Sequence, residues 1–546
     1  MPLNTPSPAR DYPALTHLRV IGLSCALIAA GCHAPSPVQP QSTLKAPGNG
    51  ATQYRTEPTA GDASRGPSGQ AIARALAQAS QTRGHVLAPD PRLAELASWV
   101  ADSLAHDVSS PPSAVIDLYA RHLGLVEPTP HLLIMLQPSA AELEQHVQDE
   151  AASLMPNQHY THYGAFSVAR ADGVLAVLVL SFRQLNMAPV PRAIAPGDTI
   201  ALQGTLDPGL KSPLMVVTYP DGSSQRGEPQ ATSKFKFEVK ARGRGEQRIE
   251  LLADSPDGIQ VVANFPVYVG VPPVSEVTVV LDGKGPALSA DQLTASLFEK
   301  LNAERLRAQQ KPLERDARLA AVGLAHSEDM QRNNFIAHTS PSTGTAVDRV
   351  ARAGIRTPLV LENIGRGYSA EEIHRGLMES PGHRENILNK DATHVGMGVV
   401  VTREDQQSAY LVTEVFARFA KSTDLNAATE QLVSAIASER KRRGLRALKH
   451  DETLSERCTH AARSFFQAAA PSKEQVIERL NRDAASSGPH YSQLLAAAVV
   501  IGSIDEATRL DPWFDPKAQA LAVGLAQGTR PDTFENAIIL VALIGY

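Results

Sequence analysis

Two histidines, His338 and His383, and one carboxylate, Glu362, stand among small and turn-forming residues between Phe335 and Phe419. Neutral imidazoles and carboxylates together can hold a divalent ion such as zinc, or act as an acid–base pair around a bound water or substrate. The two histidines are 45 residues apart, so no local metal motif such as HExxH ties them together. Hydrogen-bonded structural histidines are the competing reading for both. Nucleophilic chemistry has little support: there is no GxSxG, and Ser340 precedes Pro341 as a turn residue. No P-loop or GxGxxG occurs, which argues against nucleotide use. A net charge of −5 and 5% aromatic residues argue against a nucleic-acid surface.

The elements that must position these groups show internal similarity. Leu297 to Met330 aligns without a gap on Leu432 to Phe465, with Glu304-Arg305 on Glu439-Arg440 and Leu313, Asp316 and Leu319 on Leu448, Asp451 and Leu454. Each segment reads as an amphipathic helix, a short polar link, and a second helix opened by the aspartate. Leu87, Asp90 and Leu93 repeat that spacing upstream. Thr161-His162-Tyr163-Gly164 and Thr393-His394-Val395-Gly396 each lead into two apolar runs joined by a polar turn, a hairpin pattern, and Ala520 to Leu543 is a weaker third version. Three copies of one α/β unit follow, at 71–185, 289–420 and 428–546. Repeats of this length are domains rather than a solenoid. The fold class expected is multidomain α+β.

Only the middle copy carries the polar set. Near the place of Glu362 the first copy has the apolar stretch His131 to Met135. His394 has a counterpart, His162, in a copy lacking the set, so it reads as structural. Leu319, Val322, His326 and Met330 share a helical face, so His326 reads as a partly buried packing residue. His374 reads as a solvated or packing position behind the capping box Ser369…Glu372. Glu304 and Arg305 recur in the third copy, which suggests a shared salt bridge or cap.

Residues 189–275 alternate in short runs such as Thr199–Gly204 and Lys234–Ala241, punctuated by turn residues including Asp221-Gly222. They suggest a small β-sandwich of immunoglobulin-like type, a spacer or interaction module. At the start, Arg10 and Arg19 precede the apolar run Val20 to Ala30, and Ala29-Ala30-Gly31-Cys32 ends it. That is a secretory signal at 1–32, too short to span a bilayer, with Cys32 as the expected lipidation site. Residues 33–70 are rich in Pro, Ser, Gly, Thr and Gln and read as a disordered linker. Of three cysteines, Cys25 and Cys32 lie in the leader, and Cys458 reads as a buried structural thiol.

The ordered signatures AHTSPSTG (Ala337 to Gly344), LENIGRG (Leu361 to Gly367), ESPGHRENIL (Glu379 to Leu388) and the hairpin from Thr393 to Phe416 resemble the CAP superfamily, comprising the cysteine-rich secretory, antigen 5 and pathogenesis-related 1 proteins. The resemblance covers Leu297 to Phe419 and is to the disulfide-free bacterial branch. It implies an α-β-α sandwich with a cleft of two histidines and two acidic residues. On the matching positions these are His338, Glu362 and His383, with Glu379 as the fourth and Glu414 as second choice. The other two copies are then degenerate CAP-like scaffolds. The expected function is an envelope lipoprotein, anchored to a membrane through Cys32, that binds a lipid, a glycan or a protein in this cleft. The alternatives are a divalent-metal hydrolase or peptidase, with zinc on His338 and His383 and Glu362 as base, and a purely structural envelope protein.

Overall fold

One backbone device recurs three times along the chain. Asp90, Asp316 and Asp451 each sit in extended conformation, and their carboxylates accept hydrogen bonds from first-turn amides of the helix that follows. Those amides have no partner within the helix, so the cap satisfies them. The backbone N–H of the same aspartates bonds into a sheet, to the carbonyls of Tyr163, Val395 and Leu521. Each helix start is thereby stitched to one strand of a hairpin.

The computed structural model describes residues 41–546 apart from 84–85, 105–110, 155–159, 257, 281–286, 405–406, 468–470 and 486–490. The expected signal at 1–32, with Cys25 and Cys32, and the first part of the linker, 33–40, lie outside the described residues. Among the described residues no helix is long and apolar enough to cross a membrane.

The first unit sets helices Gly69–Arg83, Pro91–Ser103, Ser113–His122 and Ala140–Leu154 about the strands His131–Gln137, His162–Arg170 and Gly173–Ser181. The all-β module has two facing sheets that share one core, including Leu202, Phe237, Val217 and Phe265. It begins at Leu185, ahead of 189, and its longest ribbon is β1 (Gly245–Ser255) paired antiparallel with β2 (Gly258–Val269).

The middle unit follows. Helix α1 (Ala290–Arg307) opens on the capping box Ser289…Gln292. Then come α2 (Ala317–Asn333), α3 (Ala346–Arg352), β3 (Val360–Gly367), α4 (Ala370–Glu379), α5 (Pro381–Ile387), β4 (His394–Glu404) and β5 (Gln407–Ala417). Its sheet runs Glu314–Arg315, β4, β5, β3, so β3 is an edge strand. Leu319, Val322 and Val350 of α2 and α3 pack on one face with Val415 and Ala417. Leu297, Ile373, Leu377 and Ile387 of α1, α4 and α5 pack on the other with Val412 and Phe416. Alternation along β5 explains both faces, because successive side chains of a strand point oppositely.

The third unit repeats this order: Lys449–His450, Ala520–Gly528, Ala537–Gly545, Leu494–Ile501. Its first helix starts at Leu425, ahead of 428, on an Asp424 cap. In all three units the second helix crosses the hairpin backbone to backbone. A Cβ on Gly164, Gly396 or Gly524 would lie 2.1, 2.0 or 2.0 Å from a helix amide nitrogen, so only glycine admits the approach.

Arg305 and Arg440, 1% and 0% exposed, perform the shared role expected of their pair as carbonyl caps without a carboxylate. Arg305 donates to the carbonyls of Lys311, Ile387 and Asn389, and Arg440 to those of Arg446, Trp513 and Asp515. Burial draws both guanidinium pKa values down, in Arg440 against the pull of the Asp515 charge.

The linker expectation needs correction over 41–70. Gln41–Lys45 pairs antiparallel with Glu276–Val280, and Tyr54 is wholly buried, its ring centroid 4.7 Å from that of Phe265. Backbone ladders ask nothing of side-chain polarity, so a composition argument misses a strand that completes another segment's edge.

Candidate functional site

The edge position of β3 lets residues from both helical layers meet beside it. Glu362 pairs across to Val415 and so faces α2 and α3, while Asn363 pairs to Glu414 and faces α4 and α5. His338 lies on the segment between α2 and α3. A tight turn holds that segment, with reciprocal backbone hydrogen bonds between Ser340 and Gly344. The Ser340 and Ser342 hydroxyls donate to Asp329, at 2.5 and 3.1 Å from Oδ2. His383 enters from the opposite layer as the third residue of α5. The two imidazole centroids are 6.3 Å apart.

Glu362 is the hub. Its Oε1 is 3.0 Å from His338 Nδ1, and its Oε2 accepts from Arg349 Nη2 at 2.6 Å. Its side chain is 3% exposed, and that of His338 33%. Burial alone would raise the Glu362 pKa, but the His338 hydrogen bond and the Arg349 charge outweigh it and hold the group below the ordinary glutamate range. An ionised Glu362 accepts a hydrogen bond from Nδ1–H, which leaves His338 Nε2 as the ring's outward atom. Arg349 also donates to the carbonyls of His338 and Gly344, so one guanidinium ties the histidine segment to the carboxylate. Burial, and the nearby His338, push the His383 imidazole down to about 3, so it is neutral at pH 7.

Beneath this layer are groups that pattern reading passed over or demoted. His326 is wholly buried, 3.0 Å by Nε2 from the Ala337 carbonyl and 4.0 Å from Glu362 Oε1. Its helical periodicity correctly gave burial but could not show the carboxylate across the fold. Asn363 donates to Glu414 Oε2 at 3.1 Å and to the His383 carbonyl at 3.3 Å. Asn386 donates to the Glu362 carbonyl and to Asn363 Oδ1. Both asparagines stand inside the LENIGRG and ESPGHRENIL signatures, which was the available signal. Arg349 had none beyond the capping box Thr345…Asp348 that starts its helix.

Glu414 is 1% exposed, with Oε1 unpartnered, and burial pushes its pKa up to about 7 despite the Asn363 hydrogen bond. It is a floor of the site rather than a wall. Glu379 is not brought to the histidines. It ends α4, and Ser380 and Pro381 break the chain direction before His383. Its carboxylate is 3.8 Å from Arg375 and sits in an ionic knot with Arg248 and Asp117 from other modules. His374 is buried 4.0 Å from Glu304.

The donor set does not fit a zinc ion. Both oxygens of Glu362 are engaged, Glu379 is turned away, and two imidazoles fall short of the three protein ligands of catalytic zinc. No group of three or more His, Cys, Asp or Glu among the described residues is placed to share a metal ion. Two groups that could act as nucleophiles are held elsewhere: Ser340 is tied to Asp329, and Cys458 is buried in the third unit.

His394 and His162 occupy matching places at the strand entry, bonded by Nδ1 to Thr393 and Thr161 hydroxyls at 2.8 and 2.9 Å. The same threonines receive the amides of Phe419 and Arg183. His394 is therefore a structural residue.

Residues 298–416 match the family model described as CAP, the cysteine-rich secretory protein family. The middle unit is a CAP domain. Over 105 residues the chain is 40% identical to the uncharacterized protein YkwD of Bacillus subtilis, covering 19% of this chain and 41% of that protein. Over 104 residues it is 35% identical to the uncharacterized membrane protein YlbC of the same organism, covering 19% and 30%. The match thus spans less than half the length of either relative. Among solved structures, an extracellular SCP-domain protein from Bacillus anthracis matches at 21% identity and TM-score 0.21, covering 43% of this chain and 86% of that one. An outer surface protein of Borrelia burgdorferi matches at 19% identity and TM-score 0.22, covering 24% and 98%.

Proposed function

We propose that the chain is an exported, lipid-anchored envelope protein whose CAP domain binds a ligand non-covalently in the cleft of His338, Glu362 and His383. The flanking units are degenerate CAP-like scaffolds, and the β module is an immunoglobulin-like spacer. The leader with Cys32 motivates export and anchoring. One observation carries the site reading. Aligned through their capping aspartates, the three sheets give Glu362 the counterparts Leu132 and Ala496, Asn363 the counterparts Leu133 and Ala497, and Glu414 the counterparts Leu178 and Ala542. The fold stands without these polar groups, and burying them costs stability, so their presence in one unit speaks for recognition.

With Glu362 ionised and locked behind them, an oriented His338 and a neutral His383 offer hydrogen bonds to a polar ligand. The test is binding of the full chain to phospholipid vesicles, to peptidoglycan fragments and to envelope extract. Binding to one of them that is lost in a Glu362→Gln, His383→Ala double variant and kept in His394→Ala is expected. Equal binding by all three proteins overturns the reading.

A second reading has one observation behind it. The contact of Glu362 with His338 Nδ1 is the orienting contact of a general base, which would activate a water at Nε2. Hydrolysis of an ester or glycoside probe that vanishes in Glu362→Gln would favour it over binding alone.

A further inference from the structure

The β module was expected to be a spacer or interaction module, and its long ribbon touches both halves of the cleft. Glu250 on β1 is wholly buried at the foot of α5. Its Oε1 accepts the Ser380 hydroxyl at 2.7 Å, and its Oε2 accepts the Gly382 amide at 2.7 Å. Ser380 is the N-cap residue of α5 but makes no cap bond of its own to the helix. The cap therefore comes from another module: a carboxylate on β1 takes the open first-turn donor and occupies the serine hydroxyl as well. His383 is the next residue after Gly382.

Three further contacts brace the same segment. Asn264 on β2 donates to the Glu379 carbonyl at 3.2 Å, Arg384 donates to the Gly222 carbonyl at 2.9 Å, and Arg226 pairs with Glu385 at 3.0 Å. On the other side of the cleft, Gly258 opens β2 at φ +107°. A Cβ there would lie 2.8 Å from Thr339 Oγ1 and 3.6 Å from His338 Cβ. One two-stranded ribbon thus abuts the His338 segment and caps the His383 helix.

We propose that Glu250 is a positioning residue of the cleft: the β module supplies the cap that fixes His383, and Gly258 sets the spacing in front of His338. The cleft is composite, and the CAP domain alone does not define its width. This rests on the reading of the cleft as the working site, but its test reads geometry rather than ligand, so the two fail separately.

The experiment is histidine modification of the full chain by diethyl pyrocarbonate at fixed pH, followed peptide by peptide by mass spectrometry. Glu250→Ala is expected to speed modification at His383 roughly tenfold, as local opening exposes it, with His394 unchanged. Glu250→Gln, which keeps one acceptor oxygen, is expected to fall between wild type and Glu250→Ala. An unchanged rate at His383, or an equal rise at every histidine while the chain stays folded, overturns the proposal. If Glu250→Ala does not fold, Gly258→Ala decides alone: a changed rate at His338 with His394 constant supports the composite cleft, and an unchanged rate at His338 overturns it.

Discussion

The CAP domain and the third unit share a skeleton and differ in what fills one corner of it. In the former, Arg349, Glu362, His326 and Glu414 occupy buried positions of β3, β5 and the two helices behind them. In the latter, Ala496 and Ala542 stand at the two strand positions, and Ala461 stands ten residues past the capping Asp451, as His326 does past Asp316. Ordinary hydrophobic packing therefore suffices to close this corner, and the charged version costs stability, in keeping with the cleft proposed above.

The sharpest way to break the comparison is Arg349→Ala. It strands a buried carboxylate and is expected to destabilise the chain by about 3–5 kcal/mol in denaturant unfolding. Adding Glu362→Leu, the residue of the first unit, is expected to recover most of the loss. No recovery would mean that the corner depends on its ions for folding. Next come the shared caps. Arg305→Met and Arg440→Met each leave carbonyls without donors, and each is expected to cost about 2–4 kcal/mol, by similar amounts. A cost confined to Arg305 would sever the equivalence of the two units.

Glu414→Gln tests the floor of the site through pH. The folded pKa, about 7, lies above the ordinary glutamate value of 4.5. Its contribution is thus fully present below the unfolded value and lost as pH rises toward the folded one. Gln removes that loss and is expected to stabilise the chain by up to about 3 kcal/mol at pH 8, with little change at pH 4.5. His383 works oppositely: its folded pKa of about 3 means stability is lost as pH falls below the ordinary histidine value. His383→Asn is expected to flatten the acid side of the Tm profile and leave pH 8 untouched. The smallest effect belongs to the paired strand-entry histidines. His394→Ala and His162→Ala are each expected to cost about 1 kcal/mol or less, by similar amounts. A markedly larger effect at His394 would return it to the site.

Much of the skeleton was legible because it rests on local rules. The Leu…Asp…Leu spacing marks a cap and its helix, and apolar runs across a short turn mark a hairpin. The signatures also named His338, Glu362 and His383. What stayed hidden depends on contacts far apart in the chain. Arg349 reaches Glu362 through the fold, not through spacing. Glu250 meets Ser380 across 130 residues. Glu379 misled because nearness in sequence to His383 is cancelled by the break at Ser380-Pro381. The segment 41–70 misled because its order comes from distant partner strands, at 276–280 for 41–45, at 190–191 for 53–54 and at 165–166 for 64–65.

The buried arginine caps bear on how such a chain diversifies. Arg305 and Arg440 bind only main-chain carbonyls, and every amino acid carries one. No drift at a neighbouring side chain removes the atoms they hold. A unit braced this way can exchange the polar residues of its corner one at a time and remain foldable at each step, since the brace and that corner have no side chain in common.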